Sequence, residues 1–233
     1  MINYKTNIYL MSANELLNTK TDNQKVIKKN SASLRFWHWA NFIVITGSLL
    51  TVLLNRTVTG GRSTRPFFKE TLEKAGAKIT DDQAKQLAHD FSDKIWDIHT
   101  YFGYFLAGLF LFRILLEFFQ IADQKLIRKL KAAYSHFKTV KEQRQAALHT
   151  LSVNITYLVF YILLLIMVVT GLFLAFEDAM EPYKAIRHSV KEVHGFVMYL
   201  ILAFTTAHLI GVFLAEHRKD GKGIVSDMIN GGE

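Results

Sequence analysis

The chain contains no cysteine. Disulfides, thiolate-bound iron–sulfur clusters, thiol nucleophiles and covalent c-type haem attachment are therefore excluded. Proline is scarce: the only two are Pro66 and Pro182, and both lie between apolar blocks. No tandem repeat, low-complexity tract or phosphate-cradling glycine motif occurs. The apolar segments lack period-two alternation, which excludes a transmembrane β-barrel. The first 35 residues are polar and charged, so the sequence predicts no cleavable signal peptide. Any chemistry must come from histidine, carboxylates or a noncovalently bound group.

What is present is apolar mass. Half of the 233 residues are hydrophobic, with 18 Phe and 9 Tyr. They collect in four blocks, roughly residues 36–54, 98–121, 151–176 and 193–215. A helix needs about 20 apolar residues to cross the hydrocarbon core. Only helices or closed barrels satisfy their backbone there. The expected fold is an all-α membrane protein, a bundle of four transmembrane helices. Residues 1–33 read as a cytoplasmic lead and 34–233 as the helical domain. The loop 55–97 is long enough to form a small cap. In it, "PFFKETLEKAGAKITDDQAKQLAHDFSDKIW" predicts two short helices. Gly76 ends the first; Thr80 caps the second, with Asp81 and Asp82 in its first turn. Residues 123–150 read as a basic linker with helical character.

Charge sets the expected orientation. In the two terminal segments and the second loop, basic residues outnumber acidic ones two to one; in the other two loops they balance. The whole net charge of +8 thus lies on one side. The positive-inside rule puts that side, with both termini, in the cytoplasm and the cap outside. The basic segments lack the aromatic interleaving or fold motif of a nucleic-acid site, so no nucleic-acid partner is expected.

Nine histidines occur. His89, His136, His149, His188 and His217 fall in loops or at membrane edges. His38, His99, His194 and His208 fall in or at apolar blocks, where an ionisable residue is costly and marks function. His194 and His208 are fourteen residues apart, which puts both on one helix face, about 21 Å apart along the axis. One metal cannot bridge that distance; two sites can use it. The alternating helix directions pair the histidines by depth: His99 with His194 toward the outside, His38 with His208 toward the cytoplasm. A histidine pair from two helices is the usual holder of a b-type haem. Gly103, Gly195 and Gly211, and the Thr46-Gly47 and Thr170-Gly171 steps, are small enough to admit a flat ring. Arg35 and Arg113 are candidate partners for the propionates, although Arg113 is also spaced to pair with Glu117.

"SLRFWHWANFIVITG", "VHGFVMYLILAFTTAH" and the tail "EHRKDGKGIVSDMINGG" resemble the hydrogenase-type di-haem cytochrome b family. These are the membrane anchors of bacterial nickel–iron hydrogenases and formate dehydrogenases, with related stand-alone cytochromes b. The resemblance spans about residues 33–233 and all four helices. By position, it puts the family's haem ligands on His38, His99, His194 and His208. It implies two haems b, a partner redox subunit (hydrogenase-like or another dehydrogenase), the membrane quinone pool and the bacterial inner membrane. The chain would then be the electron-transfer subunit of an oxidoreductase. Quinone is expected at the cytoplasmic end, near His217 and Arg218. Two alternatives remain. One is a stand-alone oxidoreductase between quinone and a small outer acceptor or donor, such as superoxide or ferric iron. The other is a haem-free membrane scaffold.

Overall fold

A computed structural model of the protein describes residues 31–59, 64–119, 126–139, 144–217 and 223–231. The N-terminal lead before residue 31 and Arg218 lie outside the described residues. The described residues form helices α1 (Ala32–Thr57), α2 (Thr64–Lys74), α3 (Asp81–Phe119), α4 (Leu126–Thr139), α5 (Arg144–Ala175), α6 (Arg187–Glu216) and α7 (Ile224–Asn230). A 3-10 turn, Glu181–Ile186, precedes α6 and carries Pro182 near its start. There is no strand among the described residues.

Four helices are long and apolar enough to cross a membrane: α1, α3, α5 from Thr150 onward, and α6 with the turn before it. The protein is a four-helix membrane bundle. Its surface says the same: Phe105, Phe118, Ile43, Val169 and Leu209 are all more than half exposed. Apolar exposure on that scale is tolerable where lipid, not water, is the solvent.

The described residues divide into two compact units. The larger, Phe36–Ile210, holds the four paired histidines. Within it α2 packs on α3, α3 on α5, and α4 on α5. Several polar groups at membrane depth are satisfied internally, as a low-dielectric solvent favours. The Trp37 indole donates to the Leu109 carbonyl at 2.9 Å, joining α1 to α3. Arg113 is 7% exposed; it donates from Nε to the Tyr161 hydroxyl (2.9 Å) and from Nη1 to Glu117 (3.0 Å). Near the far end of α1, the Ser92 hydroxyl donates to Asn55 Oδ1 at 2.8 Å. In the smaller unit the Arg35 guanidinium donates to the Ile229 carbonyl. The Glu216 carboxylate there accepts from the backbone N–H of Gly223 (2.8 Å) and Val225 (3.3 Å), holding the start of α7.

The cap differs from the sequence expectation in one respect. Its first helix, α2, is a separate element. Gly76 follows it with φ +85°, a left-handed conformation that glycine adopts without strain. Thr80 and Gln83 then make a reciprocal cap: Thr80 N–H donates to Gln83 Oε1 (2.8 Å), and Gln83 N–H to Thr80 Oγ1 (3.2 Å). From there, however, the second cap helix does not end before the membrane. It is the first part of α3, an unbroken helix of 39 residues, about 58 Å long at 1.5 Å per residue. No glycine or proline interrupts the chain from Asp81 to Phe102, so nothing stops the helix. Lys69 of α2 donates to Asp81 at 2.7 Å; that hydrogen bond raises the ammonium's pKa.

Candidate functional site

The four histidines stand on three helices. His38 is in the first two turns of α1, His99 midway along α3, His194 in the first turns of α6 and His208 in its second half. The structure brings them together two by two. The rings of His99 and His194 lie 6.4 Å apart, centroid to centroid, with planes at 81°. Those of His38 and His208 lie 6.2 Å apart at 64°. His208 follows His194 by fourteen residues, which separates the two pairs by about 21 Å along α6.

The surroundings of the pairs differ. All four long helices serve the first. Thr51 Oγ1 of α1 is 2.9 Å from His99 Nδ1, with Ser48 Oγ at 3.3 Å. Thr170 Oγ1 of α5 is 2.9 Å from His194 Nδ1. The Trp96 ring meets His99 edge-on at 5.3 Å. Gly171 packs so closely that a Cβ there would lie 3.2 Å from His194 Cε1. The second pair has aromatic neighbours: Trp39 is edge-on to His38 at 5.5 Å, and Phe204 is stacked on His208 at 6.2 Å. Phe160 of α5 in turn stacks on Phe204 at 4.6 Å.

This geometry fits an iron held between two imidazoles. Metal–nitrogen bonds of about 2 Å on opposite sides of one ion put the ring centres about 6 Å apart. Among the described residues, no group of three or more His, Cys, Asp or Glu could hold a metal. Among the described residues, each pair stands without a third such side chain. Two imidazoles alone suit a metal whose other ligands come from a macrocycle.

The other candidates are placed as follows. Arg113 is taken up by Glu117 and Tyr161, with its guanidinium also 5.2 Å from the Tyr161 ring centre. Arg113 follows His99 by fourteen residues on α3, about 21 Å along the axis. Arg35 belongs to the smaller unit and holds the Ile229 carbonyl. His217, in the same unit, donates from Nδ1 to the Phe213 carbonyl at 2.8 Å. His89 and His188 sit beside Asp93 and Glu192 on their own helices. Sequence reasoning missed the hydroxyls of Ser48, Thr51 and Thr170 as imidazole partners. Thr170 was legible only as a small residue beside a glycine, and Thr51 carried no signal at all.

Comparison with curated proteins and with solved structures found no match. The family described as prokaryotic cytochrome b561 matches residues 30–231, nearly the whole chain. With four apolar helices able to cross a membrane, and a family match over residues 30–231, the chain belongs to the prokaryotic cytochrome b561 family: a multi-pass membrane protein of haem b electron transfer.

Proposed function

We propose that the chain carries electrons across the bacterial inner membrane through two b-type haems, between a partner redox subunit and the membrane quinone pool. The supporting observation is the pair of cross-helix imidazole couples, at 6.4 Å and 6.2 Å, fourteen residues apart on α6. Bound haem b supplies one-electron ferric–ferrous cycling. His99 and His194 would hold one iron, and His38 and His208 the other. An iron held by two imidazoles would have little room left for oxygen or substrate, so these residues would favour electron transfer over oxygenation. Trp96, Trp39 and Phe204 set aromatic surface against the rings. Buried Arg113, with Glu117 and Tyr161, supplies a cation and a proton-bearing group at the level of His38 and His208, where a propionate or quinone carbonyl could be met. By the positive-inside rule that end faces the cytoplasm.

The test is a reduced-minus-oxidised visible spectrum with haem stoichiometry on the purified full chain. Two low-spin haems b per chain are expected. His208→Ala should remove one and spare the other, and His99→Ala the reverse. Haem-free protein, or a chain in which both substitutions remove the same signal, refutes the reading. Copurification of a large redox subunit distinguishes the anchor role from a stand-alone enzyme that turns over quinone alone.

A further inference from the structure

The two pairs are not chemically equivalent, and the difference starts in two threonines. Thr51 donates its hydroxyl proton to the Ser48 carbonyl one turn back on its own helix, at 2.6 Å. Thr170 does the same to the Ile166 carbonyl, also at 2.6 Å. With its proton committed, each hydroxyl oxygen can only accept from the imidazole that approaches it at 2.9 Å. That arrangement favours the tautomer of His99 and His194 with the proton on Nδ1. Their Nε2 lone pairs are left for a metal, in the tautomer a ligand needs. A hydrogen bond from the far nitrogen also makes an imidazole more basic and favours the higher-charged metal state. His38 and His208 have no hydrogen-bond partner among the described residues; aromatic rings flank them. An apolar flank favours the lower-charged state.

Resting on the di-haem reading above, we propose that Thr51 and Thr170 are positioning residues that lock His99 and His194 as Nδ1–H donors and make their site the lower-potential of the two. Electrons then run downhill along α6, from the His99–His194 end to the His38–His208 end. The asymmetry is set by hydroxyls from α1 and α5, the two long helices that carry neither His99 nor His194.

The experiment is a spectroelectrochemical titration of the purified, haem-loaded full chain, with low-spin EPR on the same samples. His208→Ala and His99→Ala assign the two components. Thr170→Val keeps the branched shape and removes the acceptor. It should shift the ferric–ferrous ratio of the His99–His194 component about tenfold toward ferrous, a rise of about 59 mV for one electron. Its EPR signal should change as well, while the other component stays put. Ser48→Ala with Thr51→Val should act in the same direction; both are replaced because Ser48 also reaches His99. Thr170→Ser, which keeps the hydroxyl, should restore both readouts. Loss of only the His99–His194 haem in Thr170→Val, restored by Thr170→Ser, also supports the proposal, because removing a ligand's outer partner weakens metal binding by about 10–100-fold. The inference is overturned if the His99–His194 component is the higher-potential one, if Thr170→Val leaves it unmoved, or if Thr170→Ser behaves like Val. Two haems with unmoved potentials sink this inference alone. Fewer than two haems in the unsubstituted chain sinks the di-haem reading with it.

Discussion

Gly47→Ala tests the packing that holds the first histidine pair. A Cβ on Gly47 would lie 2.5 Å from Phe102 Cζ, 2.7 Å from Cε1 and 3.0 Å from Cε2. Carbon atoms pack at about 3.5–4.0 Å, so the ring must retreat by about 1 Å. Phe102 is one turn along α3 from His99, and Gly47 immediately precedes Ser48, which reaches that imidazole. The added methyl therefore displaces that ring between α1 and α3, near where Thr51 meets His99. Overpacking of this kind costs about 1–3 kcal/mol. Alanine's better helix propensity offsets up to about 1 kcal/mol of it. Gly108→Ala on α3 is the control, since a Cβ there meets nothing within 4 Å. It keeps the propensity gain without the clash. Thermal unfolding of the two purified variants in the same detergent should put Gly47→Ala lower by several degrees, at about 2–4 °C per kcal/mol for a chain of this size. A Gly47→Ala melting temperature equal to or above that of Gly108→Ala would refute the reasoning.

Two further outcomes follow from named contacts. Removing Glu117 by Glu117→Ala strips Arg113 of its carboxylate inside the membrane and should cost about 3 kcal/mol. The double variant Arg113→Met with Glu117→Met should come close to the unsubstituted protein. Chemical denaturation in detergent checks this, and a double variant worse than Glu117→Ala alone contradicts it. Thr80→Ala removes one half of the cap at the start of α3, at a cost of about 1 kcal/mol. Hydrogen exchange should speed up over the first turn of α3 while the membrane-embedded part stays protected; uniform protection would show that the cap is not needed.

The four spans were legible because burial in lipid demands about 20 apolar residues in a row, a property of local composition. The separation of His194 from His208 was legible for a similar reason: within one helix, spacing is geometry. Pairing by depth could be read too, since helix directions alternate in a chain that crosses four times. The continuity of α3 was misjudged although its signal was present. A change from polar to apolar composition looks like a boundary, but only a glycine, a proline or a competing cap ends a helix, and Asp81–Phe102 contains no such breaker.

The sequence by itself determined how many helices cross and at what heights their histidines stand, because both depend on residues close together in the chain. Only the tertiary structure decided which hydroxyls stand beside those imidazoles. Thr51 is 48 residues from His99 and Thr170 is 24 from His194. A hydroxyl's role as acceptor is fixed only when its own proton has found a carbonyl and a second helix has brought an imidazole within 3 Å. The same holds for Arg113, whose i,i+4 spacing allowed Glu117 as a partner but gave no sign of Tyr161. Side-chain orientation across a helix–helix contact depends on rotation and register, and no single span encodes either.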